Sequence, residues 1–169
     1  MTIQQQGTDV VENGSGTLNL TALSDGGTSI IRSLVYPSLP LGSGIVGGPT
    51  DSLTLEAWSG ISGPASFGAG PLAPRLRAAA TPLVLIANLG FYLPTTYVSG
   101  EALSNTSTYS DKTIAGLGLT PGTYTWTWGT GPTADSFQLQ VEAATPEPAT
   151  FGLLTFAAAG MLLAGYRRR

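Results

Sequence analysis

The chain has no cysteine and no histidine. Without thiols there is no disulfide framework, no thiolate metal site and no cysteine nucleophile. Without imidazole the commonest general base and the commonest metal ligand are gone, which closes the zinc-hydrolase and Ser-His-Asp schemes. Charge is scarce too: 10% of residues are Asp, Glu, Lys or Arg, against about 25% in ordinary soluble proteins. Hydroxyls and amides must therefore wet the surface. Of the seven basic residues three are Arg167, Arg168 and Arg169, so four basic groups face ten acidic ones in the remainder, a net of −6. That balance excludes nucleic acid, whose backbone demands clustered Lys and Arg.

What the chain does have is apolar residues, 42% of 169, together with 23 glycines and 12 prolines. The length suits one domain with a sizeable core. Gly and Pro interrupt almost every stretch before a helix can form, and such spacing suits short strands joined by turns. The expected fold over residues 1–141 is all-β, a sandwich or jelly-roll-like domain of short antiparallel strands.

The clearest strand is Thr123 to Trp128, TYTWTW, where alternation places Tyr124, Trp126 and Trp128 on a burying face and three threonines on a wet one. Pro121-Gly122 turns into it, and Gly129, Gly131 and Pro132 close it. Ser136 to Val141 follows, with Phe137, Leu139 and Val141 inward, and the two read as a hairpin. Upstream, Ser52 to Trp58 alternates with Leu53 and Leu55 on one face and Trp58 on the other. Weaker strands are expected at residues 18–23, 29–36, 106–109 and 113–117. Residues 82–93, PLVLIANLGFYL, are too short to span a bilayer and read as a core strand or strand pair around Gly90. Residues 60–80 read as a loop.

The chemistry-bearing residues are few. Asp51, Glu56, Glu101, Asp111 and Asp135 could in principle supply the two carboxylates of a glycosidase, but no pair sits in a motif and solvated turn residues account for them better. Asp25-Gly26-Gly27-Thr28 and Asp135-Ser136 carry oxygens that calcium could use, yet as isolated groups rather than a converging set. No metal or other cofactor is expected. Trp58 is the one tryptophan whose position leaves it open to stacking on a sugar. Asn13, Asn19 and Asn105 each head an N-glycosylation sequon, a pattern that arises freely in Thr-rich chains.

The C-terminal stretch differs from everything before it. Pro146, Glu147 and Pro148 stand ahead of a run, residues 149–166, that has no charge and contains Phe151, Leu153, Leu154, Phe156, Met161, Leu162, Leu163 and Tyr166. Arg167, Arg168 and Arg169 end it. As a helix the run would be roughly 27 Å long, near the lower limit for a hydrocarbon core of about 30 Å. Tyr166 suits the headgroup level, and the arginines can extend their stems to keep their charge in water. Positive charge favours the cytoplasmic side, which places residues 1–141 outside. The two prolines make the linker, residues 142–148, stiff and extended, the form a protease binds.

Pro146, Glu147 and Pro148, the apolar run and the three arginines, in that order, resemble the bacterial PEP-CTERM sorting signal of exported proteins in Gram-negative bacteria that make exopolysaccharide. The resemblance implies that the chain is a substrate rather than an enzyme. An exosortase, a multi-pass membrane enzyme, would recognise residues 146–148, while the apolar run anchors the precursor in lipid and residues 167–169 retain it as a cytoplasmic tail. A further segment, YVSGEAL followed by TIAGLGLTPGTYTWTWGTG and ADSF, resembles one recurring in the same exported family, without an attached activity; residues 70–87 depart from it. The first residues, MTIQQQGTDVVENGSG, have neither the basic nor the apolar region of a secretory leader, so an upstream start or a truncated product is expected if export is by that route. The expectation is thus a non-catalytic surface or matrix protein, structural or adhesive, first in the inner membrane and then at the cell surface or secreted. Its partners would be the exosortase, membrane lipid and exopolysaccharide; the rival readings are a carbohydrate-binding module and, more distantly, a carboxylate-only glycosidase.

Overall fold

Gln6 pairs with Asp9 across a two-residue connection of Gly7 and Thr8. Gly7 takes φ 59 while Thr8 keeps an ordinary negative φ, the hairpin arrangement that wants glycine at its first central residue. The strands it joins are β1, Thr2–Gln6, and β2, Asp9–Gly16. The computed structural model describes residues 1–31, 34–37, 44–46, 53–70, 73–74, 77–80, 84–86 and 90–144. The other strands are β3 Ser24–Ile31, β4 Leu34–Tyr36, β5 Gly44–Val46, β6 Leu53–Ser59, β7 Ala73–Pro74, β8 Arg77–Ala80, β9 Val84–Ile86, β10 Gly90–Pro94, β11 Leu103–Tyr109, β12 Gly122–Trp128 and β13 Asp135–Val141.

They form two sheets. The first runs β12-β13-β1-β2-β11-β8 and the second β3-β6-β10-β9-β5-β4-β7. Among the described residues all pairings are antiparallel except β1 with β13, which is parallel, Thr2 opposite Gln140 and Ile3 opposite Val141. The all-β, sandwich-like expectation holds for the described residues.

The core lies between the sheets because each strand turns one face inward. Ile3, Val10, Trp126, Trp128, Phe137, Leu139 and Val141 come from the first sheet, Phe91 and Leu93 from the second. Phe91 packs edge-on against Trp128, with ring centroids 5.0 Å apart, and against Phe137 at 5.8 Å. Each such pair adds about 0.5–1.5 kcal/mol to the burial itself. The hairpin of β12 and β13 has the faces expected, aromatic in and threonine out, and residues 82–93 contain the antiparallel pair β9 and β10.

Three expectations need correction. Residues 18–23 are not a strand but an extended stretch and turn whose Leu18, Leu20 and Leu23 are buried, and residues 113–117 form turns that bury Ile114 and Leu117. Both place apolar side chains without a ladder, because side-chain acceptors hold their backbones instead. Tyr97 Oη accepts Leu18 N–H, Ser99 Oγ accepts Leu20 N–H, and Gln5 Oε1 accepts Ile114 N–H at 3.1 Å. Residues 60–80, expected as loop, contain β7 and β8, and β8 extends the first sheet beyond β11. Beyond these three, β1 and β2, drawn from a Gln- and Gly-rich stretch for which no strand was expected, are central strands of the first sheet.

Candidate functional site

Period-two alternation turns Val10, Glu12 and Gly14 of β2 to the inside, and Leu103, Asn105, Ser107 and Tyr109 of β11 to the same side. The register sets Ser107 opposite Glu12, Asn105 opposite Gly14 and Tyr109 opposite Val10. Glu12 is therefore flanked diagonally by Asn105 and Tyr109, within reach of long side chains. Asn105 Nδ2 donates to Glu12 Oε1 at 2.9 Å and Tyr109 Oη donates to Oε2 at 3.2 Å. Glu12 is 0% exposed, Asn105 3% and Ser107 1%.

A carboxylate accepts and cannot donate, so it forces the Asn105 amide to present its nitrogen. The carbonyl end, Asn105 Oδ1, is left buried without a hydrogen-bond partner. It lies against Gly14, where a Cβ would overlap it, so Gly14 is the residue that lets the amide in. Beside this pair two hollows open around Met1. One of about 370 Å³ is lined by Met1, Thr2, Asn13, Gly14, Ser15, Ser104, Asn105 and Thr106. The other, about 190 Å³, is lined by residues 14–18 with Met1, Leu103 and residues 136–138. Neither lining contains Asp, Glu, Lys or Arg. The Met1 amine donates to Gln138 O at 2.9 Å; burial pushes it below the usual α-amino range, and the Glu12 carboxylate pulls the other way.

Such a site ties two strands together. A general acid or base must come within hydrogen-bond reach of a substrate proton, and Glu12 has no surface open to one.

The acids singled out in the sequence are dispersed, and several hold backbone. Asp135 accepts Asn19 N–H and Ser136 N–H, both at 2.7 Å. Asp25 Oδ1 accepts Gly27 N–H at 2.7 Å within the bulge of β3. Asp111 is an exposed turn residue at φ 54 whose N–H goes to Asp9 Oδ1. Glu101 is exposed, Glu56 sits half-buried opposite Leu93 on the inner side, and Asp51 lies outside the described residues. Among the described residues no three of Asp or Glu converge. Of the sequon asparagines, Asn105 is enclosed, Asn13 Oδ1 accepts Thr106 Oγ1–H and Asn19 Oδ1 accepts Thr21 N–H.

Trp58 is opposite Phe91 and so shares its inward side, half-buried against the core, with Nε1 enclosed and unpartnered. Leu55, on the opposite side of β6, is also buried. The sorting residues Pro146, Glu147 and Pro148, the run from Phe151 to Tyr166 and Arg167, Arg168 and Arg169 all lie outside the described residues. The described residues contain no helix long and apolar enough to cross a membrane.

The tie of Glu12, Asn105 and Tyr109 escaped sequence reasoning. Its signal was the alternation itself: once Val10 is inward, Glu12 and Gly14 must be. Comparison with protein-family models, with curated proteins and with solved structures finds no match to this chain.

Proposed function

We propose that the chain is a non-catalytic exported protein, a β-sandwich carried to the cell surface or extracellular matrix by its C-terminal sorting signal, with a structural or adhesive role there. The observation that carries this reading is the ordered tail of Pro146, Glu147 and Pro148, an uncharged run over residues 149–166, and Arg167 to Arg169. In this reading the run is a transmembrane helix and residues 167–169 its cytoplasmic end, with lipid and an exosortase as partners and exopolysaccharide as the surrounding material. Two features of the body support it. Among the described residues the last backbone tie is Glu142 N–H to Ile3 O at 2.9 Å, after which Ala143 and Ala144 are exposed, so the ladder of the first sheet is complete before the sorting residues begin. Asp9, Asp25 and Asp135 hold backbone N–H groups and Glu12 is enclosed, an arrangement that serves stability rather than turnover.

The test is processing in the native host. Replacing Glu147, Pro146 or Pro148 with Ala is expected to leave full-length chain in the membrane fraction, whereas the parent is shortened and released. Normal shortening and release of all three variants would sink the sorting claim.

A further inference from the structure

Strand β12 is the outer strand of the first sheet. From Thr123 to Trp128 it alternates Thr with Tyr or Trp and has no charge. An edge of that kind templates pairing with another chain unless charge, proline, a bulge or a cover blunts it. Residues 61–70 provide a cover. Ser62 and Thr127 exchange both backbone hydrogen bonds, at 2.9 and 2.8 Å, and Pro64 O accepts Trp126 Nε1–H at 3.1 Å. Further along, Phe67 is buried edge-on to Tyr124, its carbonyl accepts Thr120 N–H at 3.0 Å, and Gly118 O accepts Ala69 N–H at 2.9 Å.

The cover is incomplete, and its own sequence is the cause. Antiparallel hydrogen-bonded pairs recur every two residues, so pairing continued from Ser62 and Thr127 would set residue 64 against Thr125 and residue 66 against Thr123. Residue 64 is proline, which has no N–H to offer Thr125 O, and its carbonyl is turned to Trp126. Thr123 and Thr125 are exposed, and their outward N–H and C=O groups have no hydrogen-bond partner among the described residues.

We infer that residues 61–70 are a detachable guard, and that the edge from Thr123 to Thr127 is an interaction surface for the same edge of a second copy of this chain. The edge complements itself. With Thr125 opposite its counterpart, the two exchange both backbone bonds about a two-fold axis, and Thr123 of each copy meets Thr127 of the other. Every side chain that meets is uncharged, Thr123, Thr125 and Thr127 on one face and Tyr124 against Trp126 on the other, so the like-charge repulsion that keeps identical edges apart is missing. Thr127 becomes available only when Ser62 lets go. The guard is seated by close approach: a Cβ on Gly63 would stand 2.7 Å from Trp126 Cγ and 2.8 Å from Thr125 O.

The experiment uses the full-length chain in one detergent, as Gly63→Val and as Ser62→Pro, which removes the N–H given to Thr127 O. Hydrogen exchange reads the Thr127 amide and light scattering reads the protein mass. Both variants are expected to exchange Thr127 roughly tenfold faster, the scale of losing one net hydrogen bond, and to rise from 17.3 kDa to at least double that mass. Adding Thr125→Lys to either is expected to restore the monomer mass while Thr127 stays fast, since two lysines then face each other. Monomers with a fast Thr127 amide overturn the interaction surface, as do oligomers that survive Thr125→Lys. An unchanged Thr127 amide in both variants overturns the guard. If Gly63→Val fails to fold, Ser62→Pro decides by the same readings.

Discussion

Glu12 is a carboxylate in the middle of an inner sheet face, and three residues make that position tolerable. Asn105 and Tyr109 donate to its two oxygens, while Gly14 leaves the space in which the Asn105 amide lies. Gly14→Ala is therefore expected to cost about 1–3 kcal/mol, the range for inserting atoms into a filled interior. Asn105→Ala is expected to cost about 1–3 kcal/mol because the buried Glu12 side chain loses one of its hydrogen bonds. The double variant should lose less than the sum, because the group with which the new methyl collides is already gone. Denaturant midpoints of the four proteins measure this, and strict additivity would remove the role given to Gly14.

Among the elements, the β1–β2 hairpin shows how amide side chains replace a ladder. The two N–H bonds of Gln5 Nε2 are shared among Gly7 O, Asp9 O and Lys112 O, the last at 3.0 Å, while its Oε1 accepts Ile114 N–H. One side chain thus fastens the turns of residues 110–118 to the first hairpin. Gln5→Ala is expected to lose about 1–3 kcal/mol and to speed exchange of the Ile114 amide much more than that of Leu139 in β13. Equal acceleration at both sites would mean global loosening instead. The element scale is also where the sequence was least legible. Strands β12 and β13 could be read from alternation of large apolar and polar groups, and the β9–β10 pair from an apolar run broken by Gly90. TIQQQ and ENGSG carry one apolar residue between them, so the hydrophobic pattern that identifies a half-buried strand is absent where the strand's inner face is itself polar.

For the whole molecule, the decisive contact joins the two ends of the body. Strand β1 lies between β13 and β2, and the Met1 amine reaches Gln138 O across 137 positions of sequence. The hairpin of β1 and β2 is local and can close early, whereas the parallel pairing with β13 requires nearly the whole body. Contacts so distant in sequence place refolding in the slow, millisecond-to-second range typical of all-β sandwiches. A chain ending at residue 134 lacks β13 and with it Phe137, Leu139 and Val141 of the core, and is expected to show no cooperative thermal transition. A sharp transition in that shortened chain, followed by calorimetry, would mean that β1 and β12 can close the sheet without their shared neighbour.

The amino-acid order by itself determined the class of fold, since turn formers at short intervals leave room only for strands, and it determined the sparsely charged, hydroxyl-rich composition and the distinct tail. It also fixed the alternation within each strand. In β12 and β13 the large apolar set already marked the inner face, whereas in β2 and β6, which carry large apolar side chains in both alternating sets, only the tertiary structure decided which set faces inward. That choice placed Glu12 inside and turned Trp58 toward Phe91. The pairing of β1 with β13 was likewise decided there, since it joins segments separated by the length of the body and no local pattern in either one specifies the other.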